Sequence, residues 1–190
     1  MQKSRVEAFS DGVLAIIVTI MVLEIKVPHQ ANLQALIDLW PVFLSYILSF
    51  AMVLIYWNNH HHLFQSVTKV NGHILLANGL LLFFLSLLPF ASGWMGENHF
   101  ESIPVVFFGI ILWLAGFAYF ILTKEIIKAH GPDSLLAKAT NKQNKETISL
   151  MGYSLGITVG QYIPIFSCIL YAAIAIMWLI PDKRIENAMK

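Results

Sequence analysis

Residues 5–25 read RVEAFSDGVLAIIVTIMVLEI. The segment is almost continuously apolar, with one arginine, one glutamate and one aspartate in its first two turns. A helix rises about 1.5 Å per residue, so this stretch spans about 30 Å, the thickness of a bilayer's hydrocarbon core. It predicts a transmembrane helix. Asp11 is its unusual member, because a carboxylate two turns into a lipid-facing helix is costly unless it faces protein or water. The helix is therefore expected to sit inside an assembly. Farther along, Ile16, Thr19, Ile20 and Leu23 fall at i, i+3, i+4 and i+7 and share one face, with Thr19 its single hydroxyl. Such a stripe is either bundle core or the wall of a narrow pore.

The rest of the chain agrees with a membrane setting. Of 190 residues, 57% are hydrophobic and only 12% charged, where a soluble domain carries roughly a quarter charged. An all-α integral membrane protein is the expected class. The single cysteine, Cys168, allows no internal disulfide and reads as a small buried hydrophobe. Lys3 and Arg5 precede an apolar run, as in a signal peptide, but Asp11 lies within the run and no A-x-A-like site precedes Pro28. The first helix is expected to be uncleaved.

Pro28 ends the first span, and Asn32 offers a cap for a short amphipathic turn. Further spans are expected at about 36–56, 74–91, 103–123, 147–162 and 164–180, making six with 5–25, in one domain over 1–190. Pro41 sits near the start of the second span, where its missing amide is tolerated. That span is expected to end in a polar knot, Trp57-Asn58-Asn59-His60-His61-His62, and the third to give way to a loop at Ser92–Asn98. Lys124, Lys128, Lys138, Lys142 and Lys145 mark the one long charged stretch, and Pro181 closes the last span. With a cytoplasmic N-terminus, these lysines, Lys3, Arg5, Lys69, Lys183, Arg184 and Lys190 all lie inside, and of the 12 basic residues only Lys26 lies outside. Both termini are expected to be cytoplasmic. Glu97 and Glu101 on an outward loop either concentrate cations mildly or are ordinary solvated residues.

Arg5-x-x-x-Phe9-Ser10-Asp11, opening the first helix and followed by GVLAIIVTIMVLEI, resembles the RxxxFSD motif of the transmembrane protein 175 family, which includes lysosomal potassium channels and shorter six-helix bacterial relatives. The resemblance extends more loosely through Tyr56-Trp57 with the following His-His, and through Leu87-Leu88-Pro89-Phe90. It implies a homotetramer in the bilayer, here of a bacterial plasma membrane, with the first helix of each subunit lining a central pore. By offset from the motif it implies a bulky apolar constriction at Ile16, continued by Ile20 and Leu23, and a threonine tied to potassium preference at Thr19. Potassium and other monovalent cations are then the permeant species, with no cofactor.

Asp11 has two readings. It is either a proton-relay carboxylate, as in a proton-coupled transporter, or an acceptor for donors on a neighbouring helix that fixes the rotation of the first helix. The second is preferred, with Asn59, His60, His61, His73 and Asn78 as the available donors at that depth. Arg5, Phe9, Ser10, Asp11, His60, His61 and Asn78 are taken together as the motif network. Consecutive residues on a helix point about 100° apart, so His60, His61 and His62 cannot converge on one metal ion. Gly152, Gly156 and Gly160 recur every fourth residue and mark a face for close backbone approach, within a subunit or between subunits. No nucleophile elbow or phosphate loop appears, and Glu125, Asp133 and Glu146 interrupt the lysine-rich stretch. Neither an enzyme nor a nucleic-acid-binding protein is expected.

Overall fold

The computed structural model describes residues 2–131, 134, 136, 137 and 145–179. Lys138, Lys142, Asp133, Pro181, Lys183, Arg184 and Lys190 lie outside the described residues. In chain order the helices are α1 (Lys3–Leu23), α2 (Leu33–Ile37), α3 (Trp40–Gln65), α4 (Gly72–Leu85), α5 (Leu88–Glu97), α6 (Ser102–His130), α7 (Lys145–Gly160) and α8 (Pro164–Leu179). No strand occurs among the described residues.

These helices form six rods. α2 is a single short turn capped by Asn32, whose Oδ1 accepts from the Ala35 amide at 2.8 Å, and it leads directly into α3. α4 and α5 form one rod with a break. Pro89, in the first turn of α5, cannot donate to Leu85 and its ring would collide with that carbonyl, so α4 stops at Leu85. α1, the α2–α3 rod, the α4–α5 rod and α6 are each long and apolar enough to cross a membrane. α7 and α8 are shorter, with 16 residues apiece. They run antiparallel: the Ser167 hydroxyl donates to the Gly156 carbonyl at 2.7 Å and the Trp178 indole to Ser149 Oγ at 2.8 Å, so partner numbers rise on one helix as they fall on the other.

Two boundaries differ from the sequence expectation. The polar knot at 57–62 does not end the second span; α3 runs on to Gln65, because its polar side chains bond within the bundle instead of capping a terminus. The stretch 92–98 is not a loop but mostly the second half of α5. Its glycines are there for contact: a Cβ on Gly96 would sit 2.8 Å from the Val42 Cα and against Ser45 Oγ, so α5 lies backbone to backbone on α3.

α6 is the hub, touching α4, α5, α7 and α8. Phe108, Leu112, Ala115, Ala118 and Leu122 recur along it with no exposure at all. Gly109 of α6 and Gly156 of α7 flank the buried Tyr171 ring of α8 so closely that a methyl at either would overlap it. Gly152 and Gly160 likewise meet Ile174 and Ser167 of α8. The glycine repeat of α7 thus packs within the subunit.

Candidate functional site

α1 is divided along its length. Val6, Ser10, Leu14, Ile17 and Met21 are buried against α3, α4 and α5, and their spacing traces one helical face. The opposite side has no cover from its own subunit. Ile16 is 59% exposed, Ile20 42% and Leu23 77%, and Thr19 is exposed among them. Thr19 Oγ1 donates to the Ile16 carbonyl at 2.8 Å. With its proton committed to its own helix, the hydroxyl presents lone pairs outward.

The rotation of α1 is fixed by a buried polar chain. Ser10 Oγ donates to the Val6 carbonyl at 2.8 Å and accepts from Asn78 Nδ2 at 3.0 Å. Asn78 Oδ1 in turn lies 2.8 Å from His60 Nε2. A carbonyl oxygen can only accept, so His60 donates through Nε2, and its ring stacks on Phe64 with centroids 4.4 Å apart. All three polar side chains are buried, where an unpaired group is expensive. One serine on α1 is therefore tied through α4 to α3.

Asp11 is anchored separately. Its Oδ1 accepts from the Trp57 indole at 3.0 Å, and Trp57 stacks on His61, which hydrogen-bonds Gln65 at 2.9 Å. Trp57 was absent from the donors considered from sequence; its place next to the histidines, one turn before His61 on α3, was the available signal. Asp11 itself is exposed, so its carboxylate is oriented without being desolvated. Arg5 and Phe9 are also exposed, on the uncovered side of α1. His60 turns to Asn78 while the His61 and His62 rings meet edge to face with centroids 5.6 Å apart, and among the described residues no three His, Cys, Asp or Glu side chains group as a metal would need.

At the other end of α1, Lys26 pairs with Glu97 at the end of α5, and Glu24 packs over Gly93. The hydrogen bond and negative charge of Glu97 raise the Lys26 ammonium above its ordinary pKa. Glu97 is therefore not a free acidic residue on an outward loop; it is neutralised by the one basic residue assigned to that side.

A family model described as endosomal/lysosomal potassium channel TMEM175 matches residues 5–89, from the motif through the α4–α5 break. A protein named as a potassium channel in Chryseobacterium sp. (strain P1-3) is 53% identical over 190 residues, spanning 100% of this chain and 99% of that one. The chain belongs to the TMEM175 family. Another member named as a potassium channel, from Chamaesiphon minutus, is 35% identical over 159 residues, 78% of this chain and 76% of that one. The fold agrees as well: the crystal structure of a lysosomal potassium-selective channel TMEM175 homolog from Chamaesiphon minutus superposes with a TM-score of 0.83 at 27% identity, covering 94% of this chain and 96% of that one. The chain is thus an integral membrane protein of an ion-channel family, with the six-rod architecture of that structure.

Proposed function

We propose that the chain is one subunit of a homotetrameric, potassium-permeable cation channel whose pore is walled by the uncovered stripe of α1. The observation that carries the reading is the division of α1 into a face locked to α3, α4 and α5 and an apolar face bare in the single subunit. One stripe cannot enclose a passage, so identical stripes must meet on an axis, and closed rotational symmetry is the ordinary arrangement. The names of the relatives support potassium as the permeant ion.

In such a ring, Ile16 side chains offer no oxygen to an ion that has shed water. The constriction blocks by excluding water and opens when the helices turn or tilt enough to rehydrate it. Ile20 and Leu23 extend the dry segment. The outward lone pairs of Thr19, one turn from Ile16, give a partly dehydrated cation its nearest oxygens, which favours potassium over sodium modestly. The Ser10–Asn78–His60 chain and the Asp11–Trp57 bond set the angle at which the stripe faces the axis. We place the protein in a bacterial plasma membrane with both termini cytoplasmic.

Flux through reconstituted protein in opposed potassium and sodium gradients tests this. The channel reading expects non-saturating cation flux with single-channel events and a reversal potential on the potassium side. Saturable, proton-coupled uptake that collapses on Asp11→Asn, without unitary events, would replace it with the transporter reading.

A further inference from the structure

α3, α6, α7 and α8 enclose a cavity of about 40 Å³ to which α1 contributes nothing. One water requires about 10–15 Å³ by the same measure, so the space takes a head group of a few heavy atoms. Its walls are aromatic. Tyr56 meets Tyr119 edge to face, with centroids 6.3 Å apart and planes 67° apart, and Tyr119 meets Trp178 in the same manner at 6.5 Å and 75°. Tyr119 thus stands at a steep angle to both of the other rings, and Tyr153 lines the space as well.

The rings are held in place. Tyr119 Oη donates to the Asn59 carbonyl at 3.3 Å and the Trp178 indole to Ser149 Oγ at 2.8 Å. Two acceptor groups join them. Glu146, in the first turn of α7, brings a carboxylate, which Thr123 and Lys124 also approach from α6. Asn59 spends an amide N–H on the Ile55 carbonyl at 2.8 Å, which leaves Oδ1 to accept. Among the described residues, no lysine, arginine or histidine lines the space. The lining thus joins aromatic rings, whose faces carry negative potential, with acceptors, a combination that suits a cation. Trp178 already draws one, since Lys145 Nζ lies over its ring at 5.6 Å. A bare metal ion would need several oxygen ligands, whereas an organic ammonium is satisfied by aromatic faces and two acceptors.

We propose that this cavity binds a small alkylammonium group, with Tyr56, Tyr119 and Trp178 as its cage and Glu146 and Asn59 as its acceptors. The group comes either from a free amine or from the head of an aminophospholipid, since Lys124 and Lys145 place the site where the apolar part of the bundle ends. The site stands whether or not α1 walls a pore.

Radiolabelled ethanolamine and equilibrium dialysis test it on the purified full chain, first in nanodiscs of phosphatidylglycerol alone. Saturable binding at one ethanolamine per subunit, undiminished by excess potassium, is expected. Glu146→Gln should weaken it about tenfold or more, the equivalent of one charged contact. Gly116→Leu fills the cavity from α6 and should abolish it. Gly116→Ala, whose methyl meets its nearest neighbours at 3.6 Å, should fold normally and serves as the packing control. No saturable binding, displacement by potassium, or wild-type binding in Glu146→Gln would each overturn the assignment. In nanodiscs containing phosphatidylethanolamine, loss of ethanolamine binding identifies the lipid head as occupant, and retained binding identifies a free amine.

Discussion

α1 and α6 are both long apolar helices, yet one is surrounded and the other is not. α6 has residues with no exposure on sides facing α4, α5, α7 and α8, and among the candidate spans 44% of its most apolar window is buried, against 28% for α1. Hydropathy and length alone admit both as membrane spans. What separates them is where the small and polar side chains stand: α6 uses glycine and alanine to admit neighbours, whereas α1 uses Ser10 and Asp11 to hold one orientation. A helix whose rotation is fixed presents its bare face in one direction only.

The sharpest way to break this contrast is to place the same polar side chain on each helix. Leu112→Asn on α6 buries an amide without partners and should abolish recovery of folded protein in size-exclusion chromatography. Ile16→Asn on α1 should elute normally and raise basal potassium flux in liposomes by about an order of magnitude, as a wetted constriction requires. Equal loss of fold in both would erase the distinction, and unchanged flux in Ile16→Asn would remove Ile16 from the gate.

The contrast sharpens within α1 through its two anchors. Asn78→Ala leaves the buried His60 Nε2–H without a partner, at about 1–3 kcal/mol, while Ser10 keeps its bond to the Val6 carbonyl, and it should lower the melting temperature by several degrees. Trp57→Phe removes only a bond to the exposed Asp11, which water replaces, so its shift should be clearly smaller. Differential scanning fluorimetry compares them, and a larger shift for Trp57→Phe would assign the principal tether to Asp11. Thr19→Ala should leave stability unchanged and lower the potassium-to-sodium permeability ratio severalfold, read as a reversal potential in bilayers.

The smallest effect belongs to Lys26. Its pKa is raised by Glu97, so the contribution of the pair is complete below the ordinary lysine value of 10.5 and is lost only as pH rises through the raised value. Near neutral pH the contribution of this pair should therefore be fully present, small because the pair is exposed, and independent of pH. Lys26→Met should lower the melting temperature near neutrality by a small amount that does not change with pH there, and convergence of the two profiles at strongly alkaline pH, where the unaltered Lys26 loses its proton, is the expected signature.

The rods were readable because long apolar runs have few other uses, and Pro28, Pro41 and Pro164 punctuate them visibly. The continuation of α3 through Asn59 and His60 was not, because a polar run reads as a terminus until partners on α4 are known. Ser92–Asn98 misled for the converse reason: glycine and serine signal a turn locally, but at Gly96 they answer the approach of α3, a tertiary demand with no local trace. The orientation of α1 was half legible. Its stripe follows from spacing alone, and Ser10, Asn78 and His60 were named as members of a network. The allocation of Trp57 to Asp11, with Asn78 and His60 going to Ser10, depends on depth and burial, and the sequence carries neither.

The Tyr171 ring wedged between Gly109 and Gly156 bears on motion. Three helices pinned at a point where not even a methyl fits cannot slide past one another without unpacking. α6, α7 and α8 are therefore keyed together as one block, and a rotation of α1 would be movement relative to it.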